Sequence, residues 1–181
     1  MLNETLIATR VLEQVGALES DLPFSRIISQ IPTAIDRLAE RIAQGEMPEW
    51  VDSLRKEFTV TATGGEADIS ALFAPDQGLI PTSLHLANIF QGTNARESEW
   101  LPDRKAVTLM ARKGFPVVAR EGARLIFGDA NGGVGTLNAS VKIRGLAIPV
   151  SSGVVDIPKP VESAFLNDLA QIVSGPQQEA A

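Results

Sequence analysis

The segment from Thr136 to Val150 restricts the possible folds of this chain more than any other. Leu137, Ala139, Val141 and Ile143 fall on one parity, and Asn138, Ser140, Lys142 and Arg144 on the other. Strand side chains alternate between faces, so the pattern predicts a strand with one side in a core and the other in water. Antiparallel sheets allow that arrangement. After Gly145 the apolar parity switches to Leu146, Ile148 and Val150. A phase change of one residue at a glycine predicts a β-bulge. Phe115 to Arg120 and Ala123 to Gly128 have strand-like composition just upstream, so the three together are expected to form a meander.

The first third of the chain has helical spacing. Ile7, Val11, Val15 and Leu18 recur at four, four and three, with Asn3 placed to cap the start and Glu4 in the first turn. Asp21-Leu22-Pro23 is expected to end this helix. A second helix starts near Ser25 and is interrupted at Ile31-Pro32, because proline has no amide hydrogen and disfavours helical backbone before it. A new helix then starts with Pro32 in its first turn, carries Ile35, Leu38 and Ile42, and closes at Gly45. Pro48 opens a third short helix to about Lys56.

Phe58 to Thr61 reads as a strand, broken by Gly64-Gly65. Asp68 to Phe73 fits a strand or one helical turn, and Pro75 to Gly78 a turn. Residues 82 to 91 are expected as a strand buried on both faces, 91 to 99 as a polar loop, and Asp103 to Lys113 as a helix capped by Asp103. Ile157-Pro158 leads into a closing helix marked by Val161, Phe165, Leu169 and Ile172 and ended by Gly175-Pro176. Helices come first and strands after, without alternation. The expected class is therefore α+β, with N-terminal helices, an antiparallel β meander and a closing C-terminal helix. The expected regions are 1–57 (helical), 58–156 (antiparallel β) and 157–181 (closing helix and tail), joined in one compact unit.

Composition narrows the function. The net charge of −6 argues against a general phosphate-binding surface. The run Arg104, Lys105, Arg112, Lys113 and Arg120 could still form a local basic patch, although a solvated face explains it. Absent cysteines exclude disulfides and thiolate metal sites. The start of the sequence lacks a secretory pattern, and no stretch approaches a membrane span, so residence in a cytoplasm and no membrane are expected. Seven Phe, two Trp and no Tyr stock the chain poorly for base-stacking or sugar-binding clefts.

Several groups invite a catalytic or binding role. Gly128-Asp129-Ala130-Asn131-Gly132-Gly133-Val134-Gly135 could cradle phosphate, or a divalent ion at Asp129 and Asn131. The following Thr136-Leu137-Asn138-Ala139 reads as strand rather than helix, which favours a hairpin loop turning at Asn131-Gly132. His85 is the only imidazole and sits among apolar neighbours, which fits a structural histidine better than a catalytic base. Glu97 and Glu99, with Asp103 nearby, could share a cation or simply be solvated. Trp50 and Trp100 fit anchors on a core. The polar loop 91–99 is where contacts would be made. No catalytic, cofactor-binding or metal-ligating residue is assigned, no cofactor is expected, and the chain is not expected to be an enzyme. Carboxylate- or lysine-based chemistry stays open.

The layout resembles that of phage head-to-tail connector or tail adaptor (neck) proteins. The resemblance runs through Ile31-Pro32-Thr33-Ala34-Ile35 opening a helix, Ala123-Arg124-Leu125-Ile126-Phe127-Gly128, the strand through Lys142-Ile143-Arg144, and Ile157-Pro158 leading to Val161-Glu162-Ser163-Ala164-Phe165-Leu166. It covers most of the chain as a pattern, without an exact signature. It implies a virion structural protein, assembled in the host cytoplasm, acting as one subunit of a homo-oligomeric ring between portal or head and tail. Portal and tail proteins would be its partners, and DNA would pass without specific binding. Another tail or baseplate subunit, a cellular assembly factor, or a small-molecule or peptide-binding module are the alternatives.

Overall fold

The computed structural model describes residues 1–46, 48–92, 96–111, 116–128 and 135–175. In chain order the elements begin with β1 (Leu2–Asn3), α1 (Glu4–Val15), α2 (Phe24–Ser29), α3 (Ile31–Ala43) and α4 (Val51–Leu54). Next are β2 (Arg55–Ala62), β3 (Glu66–Asp68), β4 (Asn88–Gln91), β5 (Arg96–Glu97) and β6 (Glu99–Trp100). Then come α5 (Arg104–Ala111), β7 (Val117–Glu121), β8 (Arg124–Gly128), β9 (Ala139–Leu146), β10 (Val150–Ser151), β11 (Val154–Val155) and α6 (Lys159–Ser174). Short 3-10 turns lie at Pro48–Trp50, Ser70–Phe73 and Pro81–Leu86. The class is α+β, with helices leading and one helix closing.

The chain divides into two compact units: a helical unit, Met1–Leu54 with Ile148–Ala181, and a β unit, Arg55–Ala147. The closing helix therefore belongs with the first helices rather than to a third region, and 148–156 leave the β region. The reason is burial. Val161, Phe165 and Leu169 of α6 need apolar partners, and α1 and α3 supply them with Ile7, Val11, Leu38 and Ile42, all inaccessible or nearly so.

Local signals set the helix ends in this unit. The Asn3 side chain accepts a hydrogen bond from the Leu6 amide at 2.7 Å. α1 stops at Gly16, in left-handed backbone with φ +66°, and the Ala17 amide bonds back to the Leu12 carbonyl at 3.2 Å. The expectation of a longer helix to Asp21 is thus corrected, and Leu18 is 70% exposed rather than part of the stripe. α3 starts with Pro32 in its first turn and is closed by Gly45, in left-handed backbone just past the Gln44 cap, where Glu46 bonds back to Arg41, as its sequence predicts. A small antiparallel sheet, β1-β11-β10, completes the unit.

In the β unit two four-stranded sheets, β2-β9-β4-β5 and β3-β8-β7-β6, cover a shared core. Val141, Ile143 and Ile89 enter it from one sheet, and Val118, Leu125 and Phe127 from the other. α5 covers the far side of β7 and β8 with Val107 and Ala111 against Val117, Ala119 and Ile126.

β9 and the two residues before it have the predicted alternation, with Leu137, Val141 and Ile143 buried and Asn138, Ser140, Lys142 and Arg144 exposed. It does not pair with β8, however. Its neighbours are β2, over eight residues from Arg55↔Leu146 to Ala62↔Ala139, and β4. β8 pairs with β7 and β3. The simple meander is replaced because β2 matches β9 in length and points Phe58 and Val60 at the same core.

Gly145 forms no bulge, since its register with Lys56 is continuous. The parity switch reflects burial on both faces, as Gly145, Leu146, Ala147 and Ile148 are all buried. A Cβ at Gly145 would stand 2.6 Å from Leu79 Cδ1, so glycine permits the close approach of Leu79.

Three further expectations change. Residues 82–91 split into a 3-10 turn and the short β4, because Pro81 favours helical φ at the start. Residues 91–99 contain β5, paired with β4, instead of an open loop. The third helix stops at Leu54, where β2 begins. Residues 68–73 give both of their alternatives, the end of β3 and then a 3-10 turn.

Charge is divided unevenly between the units. The helical unit carries five Lys or Arg and 13 Asp or Glu, a formal −8, whereas the β unit carries 11 and nine, a formal +2.

Candidate functional site

The groups singled out by sequence do not converge. His85 is exposed at the end of the Pro81–Leu86 turn, and its Nδ1 lies 3.1 Å from the Thr82 carbonyl oxygen. It is a turn residue rather than part of a buried strand, and among the described residues no hydrogen bond or ion pair joins its ring to a carboxylate or hydroxyl group. Asp129 and Asn131 of the glycine-rich segment lie outside the described residues, as does the Asn131-Gly132 turn.

The acids near 97–103 take three separate tasks. Glu97, on β5, accepts a hydrogen bond from the Asn88 amide. Glu99 pairs in register with Val117. Asp103 caps α5 by accepting from the Ala106 amide at 2.8 Å. Among the described residues no three His, Cys, Asp or Glu side chains group closely enough to hold a metal ion.

The fold engages two residues of the basic run, Arg104 and Arg120. Arg104 reaches Glu66 at 2.7 Å and Glu121 at 3.3 Å, tying α5 to β3 and β7. Those two carboxylates hold its guanidinium above the usual arginine range, Glu66 most strongly. Arg120 donates to the carbonyls of Gly122 and Pro81, both at 2.6 Å, and lies over the Phe73 ring at 5.7 Å. Lys105 is exposed. Arg112 and Lys113 lie outside the described residues.

Trp100 is an anchor: it packs on the β core and its indole donates to the Ala87 carbonyl at 2.7 Å. Trp50 instead lines a shallow groove of about 370 Å³ on the helical unit, with Arg37, Arg41, Asn167, Asp168 and Gln171. Asp168, its side chain 3% exposed, accepts from Arg41 at 2.9 and 3.0 Å. Arg41 also reaches Glu46 at 2.8 Å, and Glu46 followed by Asp168 holds its pKa above the usual value against the cost of desolvation. Arg37 donates to Gln171 at 3.0 Å. The groove's charges are thus matched internally, and its ion pairs join α3 to α6.

A second surface was only half legible in sequence. The outward face of the β2-β9-β4 sheet carries Thr59 and Thr61 from β2, Ser140, Lys142 and Arg144 from β9, and Phe90 from β4. Glu57 accepts from Lys142 at 3.0 Å and from Arg144 at 3.3 Å. Lys142 first, and Arg144 after it, hold the Glu57 carboxyl below the usual range. The Arg144 guanidinium lies 5.6 Å from the centre of the Phe90 ring. Alternation along 138–144 marked the outward residues. It could not identify Glu57, 85 residues away, as their shared acid.

Inside the β unit, Gln91 is 7% exposed, and its amide donates to the carbonyls of Val117 at 3.1 Å and Gly128 at 3.4 Å. It links the two sheets, a role its placement in a polar stretch did not suggest.

The described polar side chains are thus engaged in ion pairs, caps and a polar sheet face within the chain. Among the described residues no helix is long and apolar enough to cross a membrane. No protein-family model matches the chain, and no curated protein sequence matches it.

Proposed function

We propose that this chain is a virion structural protein, an adaptor subunit of a ring that joins the portal or head of a phage to its tail. The observation that carries this reading is the division of one chain into a helical unit and a β unit of opposite formal charge. A connector has to offer different surfaces to different neighbours, and two compact units with distinct chemistry provide them. The order of leading helices, a β region and a proline-led closing helix is the layout on which the resemblance to neck proteins rests. In this reading the work is mechanical. No bond is made or broken, portal and tail proteins are the partners, and the acidic helical surface disfavours DNA.

Immunogold electron microscopy of particles from the native source tests the proposal. Label at the junction of head and tail is expected. Label along the tail or at its tip would replace the adaptor with another tail subunit. Protein recovered only as a free small species on a density gradient would overturn the virion reading.

A further inference from the structure

In the helical unit three of the five cations are used internally: Arg10 pairs with Glu162, Arg41 with Asp168 and Glu46, and Arg37 bonds Gln171. Asp36 and Glu40 on α3 remain exposed, four residues apart on one side of the helix, with no cation within ion-pair distance among the described residues. Side chains at that spacing lie about 6 Å apart on a helix surface.

The outward sheet face of the β unit has the opposite imbalance. Lys142 and Arg144, with side chains 55% and 51% exposed, both pair with Glu57, and with Arg55 and Glu97 on the same face the formal balance there is three cations against two carboxylates, +1. They are alternate residues of β9, so their side chains project from the same face about 7 Å apart. Around them stand the uncharged Thr59, Thr61 and Ser140 and the Phe90 ring beneath Arg144, and at the β4–β5 edge Asn88 accepts from Arg55 and donates to Glu97. Arginine and aromatic side chains are enriched at the centre of protein interfaces.

We propose that this sheet face docks the α3 helix of a second copy of the chain, with Asp36 and Glu40 meeting Lys142 and Arg144. The occupant is a second copy because the chain itself presents the complementary pair of charges at nearly the same spacing. The contact joins two different surfaces, so it is head-to-tail, the kind that closes into a ring when the rotation permits. The inference deepens the ring reading above and rests on it only for that closure.

The test is sedimentation velocity on the full chain, alone and as two charge-reversed variants, Asp36→Lys/Glu40→Lys and Lys142→Glu/Arg144→Glu. All four positions are exposed, and circular dichroism checks that each variant keeps its fold. The wild type is expected to self-associate at low salt. Raising ionic strength from about 0.01 M to 0.15 M shortens the screening length from about 30 Å to 8 Å, and should weaken association by roughly tenfold.

Each variant alone should stay monomeric, and mixing the two should restore association, because reversed acids then meet reversed bases. A wild type that is monomeric at low salt at every concentration reached would overturn the proposal. So would association indifferent to salt and to both reversals, or a mixture that fails to re-associate. The microscopy reads where the protein sits and the sedimentation reads what touches what, so either can fail alone.

Discussion

The two units close their cores by contacts of different reach. The β unit is one continuous stretch, Arg55–Ala147, and its first and last strands are hydrogen-bonded neighbours, with Arg55 opposite Leu146. The helical unit is built from both ends of the chain, and α6 returns after the whole β unit to fill the space between α1 and α3. The β unit is thus arranged like an insertion, entering and leaving by adjacent strands, and everything it needs lies within its own segment. The helical unit lacks a core until the last helix arrives.

The sharpest break of that comparison is excision. Residues 55–147 expressed alone should fold cooperatively, seen as a single unfolding transition and dispersed amide resonances, whereas 1–54 alone should stay largely unfolded for want of α6. A molten 55–147 fragment would show that the β unit is not self-sufficient.

In the intact chain, truncating a central aromatic should act within its own unit. Phe165→Ala and Phe127→Ala each remove a fully buried ring and should cost about 3–5 kcal/mol. Hydrogen exchange should rise in α1 and α3 for the first and in β7–β9 for the second. Equal loss of protection across both units in either variant would erase the distinction.

Asp168→Ala removes the buried partner of Arg41 on the α3–α6 seam. It should cost about 2 kcal/mol by denaturant unfolding, below the roughly 3–5 kcal/mol of a fully buried pair, because Arg41 is one-third exposed and keeps Glu46. Gly145→Ala, its counterpart in the β unit, pushes a methyl group toward Leu79 and should cost about 1–2 kcal/mol.

The smallest effect concerns acid. Glu57 has its folded pKa lowered, chiefly by Lys142. Its stabilisation is full above the unfolded value of about 4.3 and fades as pH falls through the folded value. The small melting-temperature advantage of wild type over Glu57→Gln at pH 6 should therefore shrink progressively as pH is lowered below the unfolded value. An advantage that persists in acid would deny the ion pairs any part in it.

Some of this was legible from neighbours in sequence. Asn3, Gly16, Pro32, Gly45 and Asp103 mark helix ends through local backbone and capping geometry, and Gly16 closes α1 well ahead of Asp21-Leu22-Pro23. The alternation of 137–144 fixed which side chains of β9 face water. The site residues were less accessible. Lys142 and Arg144 could be seen as exposed, but their sharing of Glu57, the ring of Phe90 and the amide bridge of Gln91 depend on pairings that leave no mark on spacing. His85 was misplaced because apolar neighbours suit a buried strand and a 3-10 turn equally well.

By itself the sequence determined the α+β class, the order of helices and strands, most helix ends and the faces of β9. These follow from propensity, periodicity and local hydrogen bonds, which act over a few residues. Only the tertiary structure decided that β9 lies between β2 and β4 rather than beside β8, that Gly145 makes room for Leu79 instead of forming a bulge, and that α6 belongs to the first helices. Each of those choices is a competition among distant apolar and polar surfaces. It is settled by which pairing buries the most without leaving a polar group unmatched, and that balance exists only once the whole chain has been packed.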